Sequence, residues 1–292
     1  MLEIRPMAAD DIAALTRVWE DAFAEMRDRF HLPVIERTPA SDEHYAGRLA
    51  HMLRTDPDGC WVAAGADGPK GLAVALRRGP LWVLSNFAVD PSAQDAGVGR
   101  ALLDRAAAYG DAEGPGLILS SRDPKAMRRY AFAGFALRPS VTAKGTVRRA
   151  GLARADGVRD GDAADLELAA HVDELQRGAS HGPDFGALLD DGARLLVFER
   201  GTRQGYAVVR QSDHRPVVVA ATDPDAAIQL LTAALADVPD GGESEVGWLT
   251  GAQQWAIGVC LRAGMELHPV GPVMVRGHPG PMAPYVPNGA YG

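Results

Sequence analysis

The feature that most constrains the fold of this chain is an internal repeat. The segment "IRPMAADDIAAL", which begins at Ile4, aligns without a gap with "VRDGDAADLELA", which begins at Val158. In both copies a short apolar stretch is followed by an Asp-rich turn and an apolar-periodic helix, with acidic residues at its N-terminal end where the helix dipole favours them. The match predicts two copies of one supersecondary pattern.

Three further matches follow in the same order in both halves. The segment "GCWVAAGADGPKGLAVALRRG" matches "ARLLVFERGTRQGYAVVRQSD", and both are typical of β-hairpins. "LWVLSNFAVDP" then matches "PVVVAATDP", and "AMRRYAFAGFAL" matches "AIGVCLRAGMEL". Because the period is too long for a solenoid, the pattern favours a tandem duplication.

Each half is predicted to fold as β-α-(α)-β-β-β-α-β-α-β, an α/β fold with a central mixed sheet. We expect a first domain over residues 1–149, a linker over 150–157 and a second domain over 158–292. The last segment, "HPGPMAPYVPNGAYG", is too rich in Pro and Gly for a helix or a central strand. We expect it to be an irregular arm packed across a domain.

Composition narrows the class of protein. The net charge of −8 over 292 residues disfavours a nucleic-acid surface, and it suits either a cationic amine substrate or simple solubility. There is no run of about 18 apolar residues and no basic, apolar secretory signal, so we expect a cytoplasmic protein without membrane association. The cysteines Cys60 and Cys260 lack metal-type spacing, so we expect reduced thiols and no metal.

The segment from Ala88 to Tyr109, "AVDPSAQDAGVGRALLDRAAAY", places a glycine turn between a strand and a helix. A dinucleotide-binding turn requires a third glycine at the start of a βαβ unit, and a P-loop requires Lys and Ser or Thr after its second glycine. Neither pattern is present. The third candidate, Gln/Arg-x-x-Gly-x-Gly/Ala, is satisfied by Gln94, Gly97 and Gly99.

A second pattern lies downstream, where Asp123, Ala126, Tyr130, Gly134 and Phe135 fall in an Asn-x-x-Ala-x-x-x-Tyr-x-x-x-Gly-Phe motif, with Asp in place of Asn. With these two motifs, the first half resembles the GNAT family, the Gcn5-related N-acetyltransferases. The resemblance implies that the turn wraps the pyrophosphate of acetyl-coenzyme A, because glycines let main-chain amides approach an anion at a helix N-terminus. The implied cofactor-binding residues are Phe87, Ala88, Val89, Gln94, Asp95, Ala96, Gly97, Val98, Gly99, Arg100 and Asp123.

The resemblance also implies catalytic roles. Tyr130 corresponds to the tyrosine that often protonates the departing thiolate in this family; otherwise it is a packed aromatic residue. The strand over residues 81–89 carries no carboxylate, so Ser85 and Asn86 are predicted to hold a water that deprotonates the amine. The alternative bases are Glu20, Asp21 and His31, or the carboxylate of Gly292.

The second copy is predicted to lack the cofactor site. Twelve steps separate Pro91 from Leu103, whereas seven separate Pro224 from Leu231, and the missing segment is the glycine turn. Cys260 takes the position of Tyr130. We therefore expect a protein similar to the tandem acetyltransferases of bacteria, a monomer or homodimer, which acetylates a small-molecule or protein amine. The alternative is a non-catalytic acyl-coenzyme A sensor or scaffold.

Overall fold

The computed structural model of the chain describes residues 2–94, 96–190 and 192–292. These residues form two compact units. The first consists of Met1–Arg77 and Trp82–Gly114, and the second of Arg78–Leu81 and Pro115–Gly292. The predicted mixed α/β fold class is confirmed, whereas the repeat boundary at 150–157 stays a prediction.

The secondary structure follows the predicted order in both repeats. The first repeat contains β1 (Glu3–Pro6), α1 (Ile12–Arg29), α2 (Pro39–Thr55), β2 (Cys60–Gly65), β3 (Gly68–Arg78), β4 (Leu81–Val89), α3 (Val98–Ala107), β5 (Gly116–Leu119), α4 (Pro124–Phe132) and β6 (Ala136–Thr146). The second contains β7 (Val158–Asp160), α5 (Leu166–Arg177), α6 (Pro183–Asp190), β8 (Ala193–Arg200), β9 (Arg203–Arg210), β10 (Arg215–Ala221), α7 (Pro224–Ala236), β11 (Glu243–Thr250), α8 (Gln254–Arg262), β12 (Glu266–Arg276) and β13 (Tyr285–Val286).

The aligned starts of the two repeats form the same local structure. In the first unit Arg5 donates two hydrogen bonds, each 2.7 Å long, to the carboxylate of Asp11. In the second unit Arg159 does the same to Asp165 at 2.8 and 2.6 Å. Each carboxylate also accepts a hydrogen bond from the main chain three residues earlier, which closes the turn before α1 and before α5.

In the first unit, the strands lie in the order β1-β2-β3-β4. Their buried faces carry small and branched apolar side chains, which include Val62, Leu72 and Val74. Helix α3 packs over this sheet with Leu102 and Ala106 buried. The indole of Trp82 on β4 donates a 3.0 Å hydrogen bond to the carbonyl of Ala106, so the strand before the glycine turn and the helix after it are held together.

The second unit contains an exchange of strands between the repeats. Its strands run in the order β5-β12-β6-β11, so β12 of the second repeat lies between β5 and β6 of the first. Strand β6 in turn lies between β12 and β11. The close approach depends on Gly271, because a Cβ atom there would lie 1.9 Å from the carbonyl oxygen of Ser120. Each repeat therefore supplies a strand to the sheet of the other.

The second sheet of this unit has the order β13-β10-β9-β8-β7. Its core is built on α7, whose buried residues include Leu230, Leu231 and Leu235. The segment His278–Gly292, called the tail below, is irregular except for the two residues of β13, as predicted. Among the residues that the structure describes, no helix combines the length and the apolar character needed to cross a bilayer.

Candidate active site

The strand-to-helix junction of the first unit is built in two steps. Strand β4 ends at Val89, and the carboxylate of Asp90 then accepts a 2.8 Å hydrogen bond from the amide of Ser92, which starts a short 3-10 turn. The side-chain amide of Gln94 donates to the carbonyl of Val89 at 3.2 Å. The turn is thereby folded back on the end of the strand before α3 begins.

Gly97 caps the N-terminus of α3 with a left-handed backbone, φ 78° and ψ −3°. None of the described residues would lie within 4 Å of a Cβ atom at this position, apart from the two chain neighbours of Gly97. The carbonyl of Gly97 accepts hydrogen bonds from Arg100 and Ala101, both at 3.1 Å, so the helix is formed from its first turn. The first amides of such a helix have no partner within the helix and favour an anion.

The other predicted cofactor residues of this unit lie on the strand before the glycine turn, in the turn and in the first turn of α3. Phe87, Ala88 and Val89 are the last three residues of β4, and Ala88 is buried. Val98 and Gly99 are buried in the first turn of α3, whereas Ala96 is exposed. Asp95 lies outside the described residues.

Strand β4 is held close to its neighbour at this point. A Cβ atom on Gly71 of β3 would lie 3.1 Å from the carbonyl oxygen of Ala88 and 3.0 Å from Leu102. The absence of a side chain at Gly71 therefore allows β3, β4 and α3 to meet under the junction.

The charges at the junction are mixed. Burial raises the pKa of the Asp90 carboxyl, but hydrogen bonds from Ser92 and from the Lys70 ammonium outweigh it, and the net pKa lies below its usual value. The Lys70 ammonium lies 3.3 Å from that carboxylate. The side chain of Arg100 is 82% exposed and remains in solvent beside Asp104, 3.8 Å away. An anion bound here would meet the helix N-terminus with these two cations nearby.

Ser85 and Asn86, the polar side chains of β4, are held by α2. The amide nitrogen of Asn86 donates to the Ser85 hydroxyl at 2.9 Å, and its oxygen accepts from the Tyr45 hydroxyl at 3.2 Å. Both Ser85 and Asn86 also contact the sulfur of Met52. Asn86 is only 5% exposed, so its contacts are within the protein, whereas Ser85 is half-buried. Their predicted role in holding a water stays a prediction.

Glu20 on α1 is the candidate base with the most distinctive environment. Its neighbour Trp19 stacks on Tyr45 with ring centroids 4.6 Å apart. Burial is the largest influence on the Glu20 carboxyl and raises its pKa, although the Arg37 guanidinium, 2.9 Å away, acts in the opposite direction. The other two candidates in this region, Asp21 and His31, are exposed to solvent.

Asp123 and Tyr130 belong to the second unit. Asp123 caps α4, because its carboxylate accepts a 2.7 Å hydrogen bond from the amide of Lys125. Tyr130 is 4% exposed, and burial raises the pKa of its phenol well above the usual value, so the group is protonated at neutral pH. A protonated phenol is compatible with the role of a proton donor and equally with that of a packed aromatic residue. Both roles therefore stay predictions.

The second repeat has a different junction after its corresponding strand, β10. Helix α7 begins directly at Pro224, and the carboxylate of Asp223 accepts hydrogen bonds from the amides of Asp225 and Ala226 at 3.0 and 3.1 Å. The guanidinium of Arg203 pairs with that carboxylate at 2.9 Å. The protein's own anion therefore occupies the first turn. At the position aligned with Tyr130, burial raises the pKa of the Cys260 thiol to about 12.

Two residues of this region were not predicted from the sequence. Tyr45 reaches Asn86 from α2, and Arg37 pairs with Glu20 from the segment before α2. The i, i+4 pair of Trp19 and Phe23, with ring centroids 4.5 Å apart, was the available signal for an aromatic face on α1. Its partner on α2 is separated by a loop, so no local pattern identified it.

Comparison with known proteins agrees with this architecture. The model of the acetyltransferase (GNAT) family matches residues 19–135. A Pyrococcus horikoshii protein described as an acetyltransferase superposes with a TM-score of 0.76 at 18% identity, covering 100% of this chain and 96% of that one. No curated protein matches the sequence.

Two further structures extend the likeness over nearly the whole chain. A GCN5-related N-acetyltransferase from Sphaerobacter thermophilus has a TM-score of 0.61 at 15% identity and covers 94% of this chain and 95% of its own. A tandem GNAT protein from the clavulanic acid biosynthesis pathway has a TM-score of 0.55 at 16% identity and covers 96% of this chain and 99% of its own. At these identities the likeness establishes the fold.

Proposed function

Because residues 19–135 of this chain match the model of the acetyltransferase (GNAT) family, we propose that it transfers an acetyl group from acetyl-coenzyme A to a primary amine. The single observation that carries the proposal is the junction at Gly97. There, a left-handed glycine leaves the N-terminus of α3 without a side chain, and no described residue beyond its chain neighbours would lie within 4 Å of a Cβ atom at that position. Such a terminus contributes about 0.3–1 kcal/mol per bound charge, and up to about 2 kcal/mol when it is partly buried.

In this proposal the first repeat binds the cosubstrate through two elements. The turn from Gln94 to Arg100 and the first amides of α3 hold the diphosphate, and the main chain of Phe87 to Val89 bonds the pantetheine arm. Acetyl-coenzyme A supplies the thioester when it is bound. The amine nitrogen forms a bond to the acetyl carbon and the carbon–sulfur bond breaks; the ammonium proton passes to a base, and the thiolate takes a proton from Tyr130.

We assign the base to Glu20. A carboxyl with a raised pKa is a better proton acceptor near neutral pH than an ordinary one, because its pKa is closer to that of the group it deprotonates. The alternative base, at Gly292, is engaged within the second unit, where its oxygen is bound by His181 at 3.1 Å and by Tyr285 at 2.7 Å. Glu20→Gln should therefore lower kcat with little effect on the binding of coenzyme A. Asp21→Asn is the matched exposed control.

The acceptor belongs to the proposal as a class, a small-molecule amine or a protein amine. An acidic protein with a formal charge of −8 attracts a cationic amine, although net charge by itself sets no specificity. A cytoplasmic setting, a bacterial source and a monomeric or homodimeric state stay predictions.

The proposal is tested by the release of free coenzyme A thiol from acetyl-coenzyme A with a panel of primary amines. Turnover with any amine, lost in the Glu20→Gln variant, supports the enzyme. Binding of acetyl-coenzyme A at one equivalent, with no turnover across small amines and protein amines, would instead support an acyl-coenzyme A sensor.

A further inference from the structure

The tail of the second unit lies on a strand edge that has a counterpart in the first repeat. Strand β13 pairs antiparallel with β10, with Val286 opposite Val219 and Tyr285 opposite Ala220. In the alignment of the repeats β10 corresponds to β4, the strand to which the proposed function assigns the pantetheine arm. In the second repeat, this strand is therefore paired with a peptide.

Side chains of the second repeat bind the main chain of the tail at separate points. The amide of Gln253 donates to the carbonyl of Met282 at 2.7 Å, and the guanidinium of Arg177 donates to that of Tyr291 at 2.9 Å. His181 contacts the Gly292 oxygen at 3.1 Å through Nε2. Arg177 and His181 are fully buried. We call this surface, formed by β10, Gln176 to Gly178, His181, Trp248 and Gln253, the tail groove.

The histidine of the tail groove is itself held in place. Its Nδ1 lies 2.7 Å from a carboxylate oxygen of Asp173, and the other oxygen of that carboxylate accepts a hydrogen bond from the hydroxyl of Tyr206. Asp173 and Tyr206 are fully buried. This arrangement orients Nε2 toward the tail and leaves the ring little freedom to turn away.

Glycines on both sides make the fit between the tail and its groove close. A Cβ atom on Gly178 would lie 2.8 Å from the carbonyl oxygen of Pro279, and one on Gly280 would lie 2.6 Å from that of Gln176. A Cβ atom on Gly289 would lie 2.9 Å from the ring of Trp248. Side chains at these three positions would push the two surfaces apart.

The tail is buried although it has almost no structure of its own. Tyr285 and Val286 are no more than 1% exposed, and Tyr291 is 4% exposed. Gly277 and His278, which connect the tail to β12, are exposed. The segment is thus joined to the unit by an accessible link and held by strand pairing, buried aromatic side chains and hydrogen bonds to its main chain, which are the means by which proteins bind extended peptides.

We propose that the second repeat is a peptide-binding module. Its ligand is an extended segment with a Tyr-Val strand followed by Pro-Asn-Gly-Ala-Tyr-Gly, which the chain itself supplies in the tail, residues 278–292. In the second repeat the tail pairs with β10, whereas in the first repeat the corresponding strand β4 is assigned to the pantetheine arm. The assignment of β4 rests on the proposed function.

The test uses the full chain with a protease site inserted between Gly277 and His278. After cleavage of the folded protein, we expect the 278–292 fragment to stay bound through gel filtration and native mass spectrometry. A labelled synthetic peptide of the same sequence should exchange into the cleaved complex at one equivalent. In the peptide, Gly289→Val should raise the dissociation constant about tenfold or more, because it overpacks against Trp248. Pro281→Ala, at an exposed position, is the matched control and should bind as the parent peptide does.

The proposal is overturned if the fragment separates and the labelled peptide neither exchanges nor rebinds. It is also overturned if removal of the fragment creates a second equivalent of coenzyme A binding, because the groove would then be a cofactor site. Coenzyme A binding is measured on the same samples. Loss of that binding with a retained peptide would contradict the proposed function and leave the tail groove intact.

Discussion

The corresponding strands β4 and β10 are each followed by an Asp-Pro pair. The two repeats differ in the segment that leads from this pair into the next helix. In the first, Asp90 starts a 3-10 turn, and α3 begins only after Gly97 at Val98. In the second, Asp223 caps α7 directly through two amide hydrogen bonds. In the second repeat the chain's own carboxylate satisfies the first amides of the helix, whereas in the first repeat the capping residue has no side chain that could do so. Our proposal places the diphosphate of the cosubstrate at the first amides of α3.

The two repeats also differ at the position of the predicted proton donor, Tyr130. The first has the buried phenol of Tyr130 on α4, and the second has the buried thiol of Cys260 on α8. Burial raises the pKa of both groups, so both are protonated at neutral pH. Only the first lies in the repeat that keeps the glycine turn, and only there is a proton donor useful to the proposed reaction.

The largest expected effect comes from Tyr130→Phe. If the phenol donates the proton to the thiolate, kcat should fall by about 10²–10⁴. Coenzyme A affinity should stay unchanged, because the ring still fills its place. Steady-state thiol release and equilibrium binding measure the two quantities. Cys260→Ala, at the aligned position of the other repeat, is the control and should leave kcat unchanged. If Tyr130→Phe keeps full activity, Tyr130 is a packed aromatic residue and does not donate the proton.

Gly97→Asp places a carboxylate at the N-cap position of α3, the position that Asp223 occupies before α7. Asp and Asn both tolerate the left-handed backbone of this position, so the fold should be retained. We expect coenzyme A affinity to fall about a hundredfold, because a fixed anion competes with the diphosphate for the first amides of α3. Calorimetric titration measures the effect. Gly97→Asn is the neutral control and should lose less affinity; equal losses in both variants would indicate a steric effect alone.

Asp223→Ala removes the cap of the second repeat. The free energy of unfolding should fall by about 0.5–2 kcal/mol, since two amides of α7 lose their acceptor. Coenzyme A stoichiometry should not change, because the second repeat still lacks the turn. Chemical denaturation and titration measure these outcomes. Asp225→Ala, whose side chain is 79% exposed, is the control, and a second bound equivalent of coenzyme A would contradict our comparison of the junctions.

The smallest expected effect concerns a feature that the repeats share. Hydrogen bonds from Arg5 and from Arg159 hold the pKa of Asp11 and of Asp165 below its usual value. Since the folded pKa is depressed, this stabilisation is present above about pH 4 and is lost as the pH falls through the folded pKa. Asp11→Asn and Asp165→Asn should each cost about 1 kcal/mol or less at pH 7, because the pairs are partly exposed.

The expected pH dependence is checked by denaturation at a series of pH values. The difference between each variant and the parent chain should shrink as the pH falls below about 4. A difference that persists unchanged at pH 2 would indicate loss of packing in place of loss of the ion pair. Asp10→Asn, beside Asp11 and exposed, is the control.

Local patterns predicted much of the fold and of the local structure at the strand-to-helix junctions. The alignment of Arg5 and Asp11 with Arg159 and Asp165 anticipated two identical turns, and both are present. The shortened second junction anticipated a helix that begins without a glycine turn. These features depend on residues close together in the chain, where turn chemistry and capping act directly.

Other features required contacts between distant segments. The contact of Tyr45 with Asn86 and the Arg37–Glu20 pair join residues separated by loops, and no short motif encodes either. The burial of the tail depends on Arg177, His181 and Gln253, which precede it by tens of residues or more. Its composition indicated an irregular arm but not the surface that receives it.

By itself, the sequence determined the duplication, the order of strands and helices and the presence of the glycine turn in the first repeat alone. Each of these depends on the spacing of residues that are close together in the chain. Only the tertiary structure decided that β6 and β12 exchange places between the repeats and that the tail lies along β10. The physical reason is that an unpaired strand edge accepts any segment with a compatible face. Which segment pairs there is therefore decided by the packing of the whole unit.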